Sequence, residues 1–130
     1  MINEILSLEV LSNLSFKGAS GSNLPSRNAA LNQAKRDAGV PKSQQPVSVD
    51  KVKMTGPDYA GGHVVKDSNG NIVITRQYVY TDLDGTPVYI QEHTYPHTGS
   101  DGPHFNVRPE ADLRNGVYPG TKEHYPFNEN

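Results

Sequence analysis

The chain of 130 residues contains no cysteine and no tryptophan. The absence of cysteine excludes a disulfide framework, a cysteine-ligated zinc site and a thiol nucleophile. No apolar run approaches the roughly 18–20 residues of a membrane-spanning helix, so we expect no membrane partner. With 12 glycines, 10 prolines and only 34% hydrophobic residues, the composition predicts one loop-rich domain with a small core.

The net charge of −2 hides an uneven distribution along the chain. Residues 17–53 carry seven Lys and Arg against two acids, a net charge of +5, whereas residues 81–130 carry eight acids against three basic residues, a net charge of −5. A basic segment is suited to contact phosphate backbones, and an acidic segment that contains histidines is suited to hold a metal ion. Ordinary solvated surface is the alternative explanation of both.

The first part of the chain predicts a junction followed by a helix. Residues 1–16 have the spacing of an amphipathic helix, and the glycine- and serine-rich residues 18–23 are typical of a flexible linker. We therefore interpret residues 1–24 as a linker or junction with an upstream parent chain, and residues 25–130 as the domain. A helix is predicted over about 26–38, because Ser26 is a suitable N-cap and Gly39 ends the helical pattern.

The rest of the chain predicts an α+β fold with much loop. Residues 41–70 read as an extended loop with one short strand near 47–52. A central β-hairpin is predicted over about 71–93, where β-branched and aromatic residues flank an Asp-Gly turn. The chain after the hairpin reads as loop. A short helix is expected over about 109–115, because proline suits the first helical position and glycine follows at 116.

Four of the five histidines fall in the last 38 residues, next to other groups able to bind metals or move protons. The candidates for catalysis or metal binding are Glu92, His93, His97, His104, Asn106 and His124.

Three chemistries are open for this set. A carboxylate and imidazoles are suited to hold a divalent metal for phosphodiester hydrolysis. Two imidazoles are also suited to act as base and acid on RNA without a metal. The third possibility is a structural metal site or simple packing, with no catalysis. The candidate phosphate-binding residues are Arg108, Lys122, Lys35 and Arg36, for which solvated surface or a structural ion pair is the alternative.

Several strings of the chain resemble a known family of nucleases. SRNAALNQAKRDAGVPKSQQP, IQEH, GPHFNVRP and GTKEHYPF are similar to the C-terminal modules of bacterial polymorphic toxins. The group that they resemble is the HNH/endonuclease VII-like toxins, which are named for a Glu-His-His-His set and occur in Rhs-type and related secreted proteins. The resemblance covers about residues 25–128. It implies a small domain like a His-metal finger, although no long helix is predicted after the hairpin and no literal HNH string is present.

The resemblance also implies roles for the candidate residues. His93, at the end of the hairpin strand, would be the general base that activates water. Glu92 and His104 would hold one divalent metal (Mg, Mn or Zn), with Asn106 as a ligand or positioning residue. His97 and His124 would support the site or add ligands.

The same resemblance implies a biological setting. The domain would be secreted as part of a larger toxin and would cleave DNA, or alternatively RNA, in the cytoplasm of a target cell. A cognate immunity protein would bind and neutralise it.

Overall fold

The structure, a computed structural model, describes residues 23–55, 64–95 and 102–128. Within these residues, one helix and five strands form a mixed α+β fold with much loop, as the composition predicts. The elements in chain order are α1 (Arg27–Asp37), β1 (Ser48–Lys53), β2 (Ile74–Thr81), β3 (Pro87–His93), β4 (His104–Pro109) and β5 (Tyr125–Pro126). No helix among these residues is long and apolar enough to cross a membrane.

The five strands form one antiparallel sheet in which sequence order and spatial order are the same, β1-β2-β3-β4-β5. The hairpin of β2 and β3 lies at its centre and pairs Tyr78 with Ile90. Its turn contains the predicted Asp-Gly pair, and Gly85 has a φ of 83°, a conformation that glycine adopts without strain. The predicted central hairpin is therefore confirmed.

Helix α1 packs against one side of the sheet, which we call the helix face. Ser26 caps the helix, as predicted, by accepting a hydrogen bond from the Ala29 N–H at 3.1 Å. Ala30, Ala34 and Ala38 recur every four residues, so they share one side of the helix, and all three are buried. These small side chains let the helix approach the larger ones of the sheet. The fully buried apolar residues on the strands and tail are Val88, Ile90, Phe105, Val107 and Phe127.

The predicted helix over 109–115 is wrong. Residues 104–109 form strand β4, and residues 110–115 form turns. Pro109 ends the strand instead of starting a helix, and the Asp112 carboxylate accepts hydrogen bonds from the N–H groups of Arg114 and Asn115. These local bonds stabilise a turn in competition with a helix.

The prediction of loop after His93 is wrong in part, because β4 lies within it and pairs along its length with β3. No helix follows the hairpin in residues 102–128. The short strand predicted near 47–52 is confirmed as β1. The helix predicted over 1–16, most of the 18–23 linker and His97 lie outside the described residues.

The two ends of the described chain meet. Asn128 donates its N–H to the carbonyl of Pro25 at 2.8 Å, and Ser26 forms a parallel bridge with Asn128. The ring of Phe127 contacts that of Phe105 at 5.0 Å between centroids. The C-terminal residues therefore close the core beside the start of α1.

Candidate functional site

The end of strand β3 sends two candidate residues to opposite sides of the sheet. Successive side chains on a strand alternate between faces, so Glu92 and His93 diverge. Glu92 lies on the helix face, in register with Phe105, whereas His93 lies on the other side, which we call the outer face, in register with His104. The two residues are therefore neighbours in sequence without sharing a site.

Three histidines and one asparagine come together beside the outer face. The ring of His104 lies 5.4 Å from that of His93 and 4.4 Å from that of His124, measured between centroids. Asn106, two residues after His104 on β4, bonds to Nδ1 of His93 at 2.9 Å. We call these four residues the histidine cluster. His93, His104 and Asn106 are buried, and His124 is half-buried.

Hydrogen bonds fix the protons on two of these rings. His104 donates from Nδ1 to the carbonyl of Gly102 at 2.8 Å, so in the neutral ring Nε2 carries the lone pair. Asn106 donates from Nδ2 to Nδ1 of His93, so there the lone pair is on Nδ1. A hydrogen bond from one ring nitrogen to a backbone carbonyl, as in His104, is the usual arrangement for a metal-binding histidine.

The side-chain oxygen of Asn106 is buried without a hydrogen-bond partner in the part of the chain that the structure describes. Asn106 is only 2% exposed. Leaving a buried polar oxygen unsatisfied costs about 1–3 kcal/mol, so such atoms in native proteins often have a functional explanation. Amide oxygens and imidazole nitrogens are both ligands that divalent metals accept.

Glu92 is held on the helix face by α1. Arg27 donates to its two carboxylate oxygens from Nε at 2.8 Å and from Nη2 at 2.7 Å. Tyr78 donates its hydroxyl to Oε1 at 3.1 Å. Burial alone would raise the pKa of Glu92, but the hydrogen bonds and charge of Arg27 outweigh it, so the pKa lies below its ordinary value. The carboxylate is thus ionised and fully engaged at neutral pH.

The four predicted phosphate-binding residues lie in different surroundings. Lys35 is 5% exposed and donates to the carbonyls of Lys42 and Gln44, both at 2.8 Å, so a phosphate contact would require these bonds to break. Arg36 is exposed and donates to Gln33. Arg108 is half-buried and donates to the carbonyl of Gly116 at 2.8 Å.

Lys122, the last of the four, is exposed and lies 5.9 Å from the ring centroid of Tyr125. Of the four, Arg108 is the one that follows Asn106 by two residues on β4, and it therefore shares the outer face with the histidine cluster.

Sequence reasoning did not find the partners that hold the candidate residues. Arg27 and Tyr78 lie 65 and 14 residues from Glu92 in the chain, and no local pattern links them to it. The contact with Gly102 had a local signal, because Gly102 lies two residues before His104 in the string GPHFNVRP. Within the described residues, no group of three His, Asp or Glu side chains is arranged to hold a metal.

One comparison with known proteins gives a match. No curated protein and no solved structure matches the chain. A family model described as HNH/Endo VII superfamily nuclease toxins matches residues 64–127. The match includes the hairpin and the whole histidine cluster, and it begins after the predicted N-terminal helix. Residues 64–127 therefore form a nuclease toxin domain of the HNH/Endo VII superfamily.

Proposed function

We propose that this nuclease toxin domain hydrolyses phosphodiester bonds of DNA with a divalent metal, and that His93 is its general base. The observation that carries the proposal is the histidine cluster, in which an imidazole lone pair and an unsatisfied amide oxygen lie beside a second imidazole. The contact of Ser26 with Asn128 supports residues 25–130 as the nuclease unit. Residues 1–24 would join it to a parent toxin.

The donor set fits a metal that also keeps water or phosphate ligands. His104 offers Nε2 and Asn106 offers Oδ1, and a metal held by two protein ligands leaves positions for substrate oxygens. Mg²⁺, Mn²⁺ or Zn²⁺ bound there would stabilise negative charge on the phosphate and on the leaving oxygen. His97 and His124 would support the site or add ligands.

His93 would take the proton of the attacking water. Its lone pair is on Nδ1, where Asn106 now donates, so the water would replace the amide as the donor to this atom. A neutral imidazole has an ordinary pKa of about 6.5, which suits proton transfer near neutral pH.

Glu92 would position strand β3 and would not bind the metal itself. Reaching the histidine cluster would require its ion pair with Arg27 to open and its side chain to cross to the outer face. Its proposed role is to fix the end of β3, and with it the backbone that carries His93.

Phosphate contacts are proposed for two exposed or half-buried cations. Arg108 retains guanidinium donors beyond those that bond Gly116 and Gln91, and it lies about 7 Å along the strand from Asn106. Lys122 would add charge from the loop before β5.

A second candidate function is a metal-independent ribonuclease. It is favoured by the 5.4 Å separation of the His93 and His104 rings, since two adjacent imidazoles are suited to act as base and acid on a 2′-hydroxyl.

The toxin family supports a setting in which the domain is secreted with a parent chain and acts in the cytoplasm of a target cell. A producing cell needs protection from such a nuclease. We therefore propose a cognate immunity protein, which co-purification from the producing organism would detect as a tight complex.

The test is cleavage of plasmid DNA and total RNA by the wild type and by His93→Ala, with and without EDTA. We expect the wild type to cut DNA, and both EDTA and His93→Ala to abolish cleavage. Cleavage of RNA alone, insensitive to EDTA, would favour the ribonuclease. If the wild type cuts neither substrate, the histidine cluster serves binding or stability, and the proposed function is wrong.

A further inference from the structure

A cavity of about 280 Å³ lies beside Glu92 at the end of the sheet, and the function proposed above makes no use of it. Its lining residues come from β1, β2 and the end of β3, and they are Lys51, Ile74, Thr75, Arg76, Glu92 and Thr94. Most of the lining side chains are polar or charged. We call it the cation cavity after Lys51 and Arg76.

Lys51 and Arg76 are direct cross-strand partners. Opposite residues of an antiparallel pair project to the same face, so two positive charges lie side by side on the helix face. Like charges in this position destabilise a sheet. Neither forms an ion pair among the residues that the structure describes, and both are exposed. Sheet stability therefore does not account for the pair.

The carboxylate in the cavity wall forms its hydrogen bonds with other residues. Glu92 is bonded on both oxygens, by Arg27 and Tyr78. The cavity lining thus combines one engaged carboxylate with two cations, Lys51 and Arg76. This surplus of positive charge, with the hydroxyls of Thr75 and Thr94 in the lining, suits an anion with several oxygens.

The cation cavity and the histidine cluster lie at the same end of the sheet. Strand β2 begins at Ile74, β3 ends at His93, and β4 begins at His104. Gln77 pairs with Gln91, so the same register places Thr75 across from His93, on a strand about 5 Å away. The two sites therefore lie at the same end of the sheet, on its opposite faces.

We propose that the cation cavity binds a backbone phosphate of the nucleic acid while a neighbouring phosphodiester lies at the histidine cluster. The inference rests on the proposed phosphodiester hydrolysis and adds a substrate requirement to it. The nucleic-acid strand would pass around this end of the sheet, so the natural substrate is a polymer that occupies both sites. A small phosphodiester would reach the histidine cluster alone.

The test uses Lys51→Gln with Arg76→Gln, compared with a control that also loses two exposed cations, Lys42→Gln with Arg114→Gln, neither of which lines the cavity. Binding of a DNA duplex is measured in the His93→Ala background over a range of salt concentrations. The cavity variant should bind about tenfold more weakly at low salt. Its slope of log K against log salt should be smaller by about 1, because the contact with one phosphate is lost. The control should leave the slope unchanged.

Two further readouts separate binding from folding and from catalysis. The melting temperature of the cavity variant should be unchanged or higher, because a repulsive pair is removed. With His93 intact, the KM for DNA should rise about tenfold, while kcat, and the cleavage of bis(p-nitrophenyl) phosphate, should stay the same.

Equal salt slopes and equal KM values for the cavity variant and the wild type would overturn the inference. The inference would also be overturned if the cavity variant bound DNA like the wild type but lost binding to an acidic partner protein. The two cations would then serve a protein interface. Absence of cleavage by the wild type would count against the proposed function, whereas DNA binding in the His93→Ala background would still test the cavity.

Discussion

Asn106 illustrates how one side chain connects two parts of the histidine cluster. Its amide nitrogen holds the ring of His93, and its amide oxygen is buried with no hydrogen-bond partner among the described residues. A residue selected for stability alone would satisfy both atoms. A functional role for the oxygen would explain why this asparagine is kept inside the sheet.

Replacing Asn106 should therefore affect activity more than stability. Asn106→Ala takes the amide donor from Nδ1 of buried His93 but also removes an unsatisfied oxygen, so the free energy of unfolding should fall by about 1–2 kcal/mol. Cleavage should fall about 100-fold, as expected for a group that binds or orients at a metal site. Urea unfolding and plasmid cleavage measure the two quantities.

Asn106→Asp is the matched variant, because it keeps the size of the side chain and adds a negative charge. If Asn106 Oδ1 is a ligand, the carboxylate should lower the Mg²⁺ concentration needed for half-maximal cleavage about tenfold. A half-maximal concentration equal to that of the wild type would contradict a ligand role.

At this scale, the sequence was sufficient to nominate most of the site. The residues that meet in the cluster, His93, His104, Asn106 and His124, were all candidates because imidazoles and amides are recognisable by type. The separation of Glu92 from them follows from strand alternation, which the sequence implied once β3 was assigned. The ion pair with Arg27 depends on how α1 docks on the sheet, and no local pattern encodes that docking.

Among the glycines that the structure describes, Gly116 in the turn after β4 has the least space for a side chain. A Cβ atom added to Gly116 would lie 2.7 Å from the carbonyl oxygen of Asp112 and 2.8 Å from Cγ of Pro109. The same turn supplies the Leu113 carbonyl to Gln91 and the Gly116 carbonyl to Arg108. It therefore anchors polar side chains on the outer face of the sheet.

Gly116→Ala should lower the free energy of unfolding by about 2 kcal/mol, because backbone atoms must move to relieve the contacts. Gly102→Ala is the control, since a Cβ there meets no atom of the described residues within 4 Å, and its effect should stay within about 0.5 kcal/mol. Chemical denaturation of the two variants makes the comparison. Equal stabilities would show that the turn relaxes without cost.

The elements that the sequence predicted correctly carry their signals locally. Helix α1 has a cap and a glycine stop, and the central hairpin has β-branched strands around an Asp-Gly turn. Strand β4 was missed because HFNVRP has no strong strand pattern and follows a glycine- and proline-containing segment. It becomes a strand by pairing with β3. The helix predicted at 109–115 failed because proline and glycine also delimit turns.

For the molecule as a whole, the bond between Arg27 and Glu92 ties the helix to the sheet. The pKa of Glu92 is lowered in the folded state, so the folded protein binds this proton less readily than the unfolded chain, whose glutamate has a pKa of about 4.3. The stabilisation is complete above that value. The stabilisation is lost as the pH falls from about 4.3 to below the pKa of Glu92 in the folded state.

Urea unfolding at pH 7 and pH 3 should therefore show a smaller loss of stability on acidification for Glu92→Gln than for the wild type. Arg27→Ala should cost about 2 kcal/mol at pH 7, because it leaves a buried carboxylate with Tyr78 as its remaining side-chain donor. An identical loss on acidification in Glu92→Gln and the wild type would refute this account.

The meeting of Pro25 with Asn128 has a consequence for the timing of activity. Contacts between segments so far apart in the chain make folding slow, because the loop between them must close first. A chain emerging from a ribosome lacks His124, Phe127 and the pairing of Asn128 until almost all of the domain has been made. A partly synthesised toxin would thus have neither a closed core nor a complete histidine cluster. The cell that makes it would have that interval in which to provide an inhibitor.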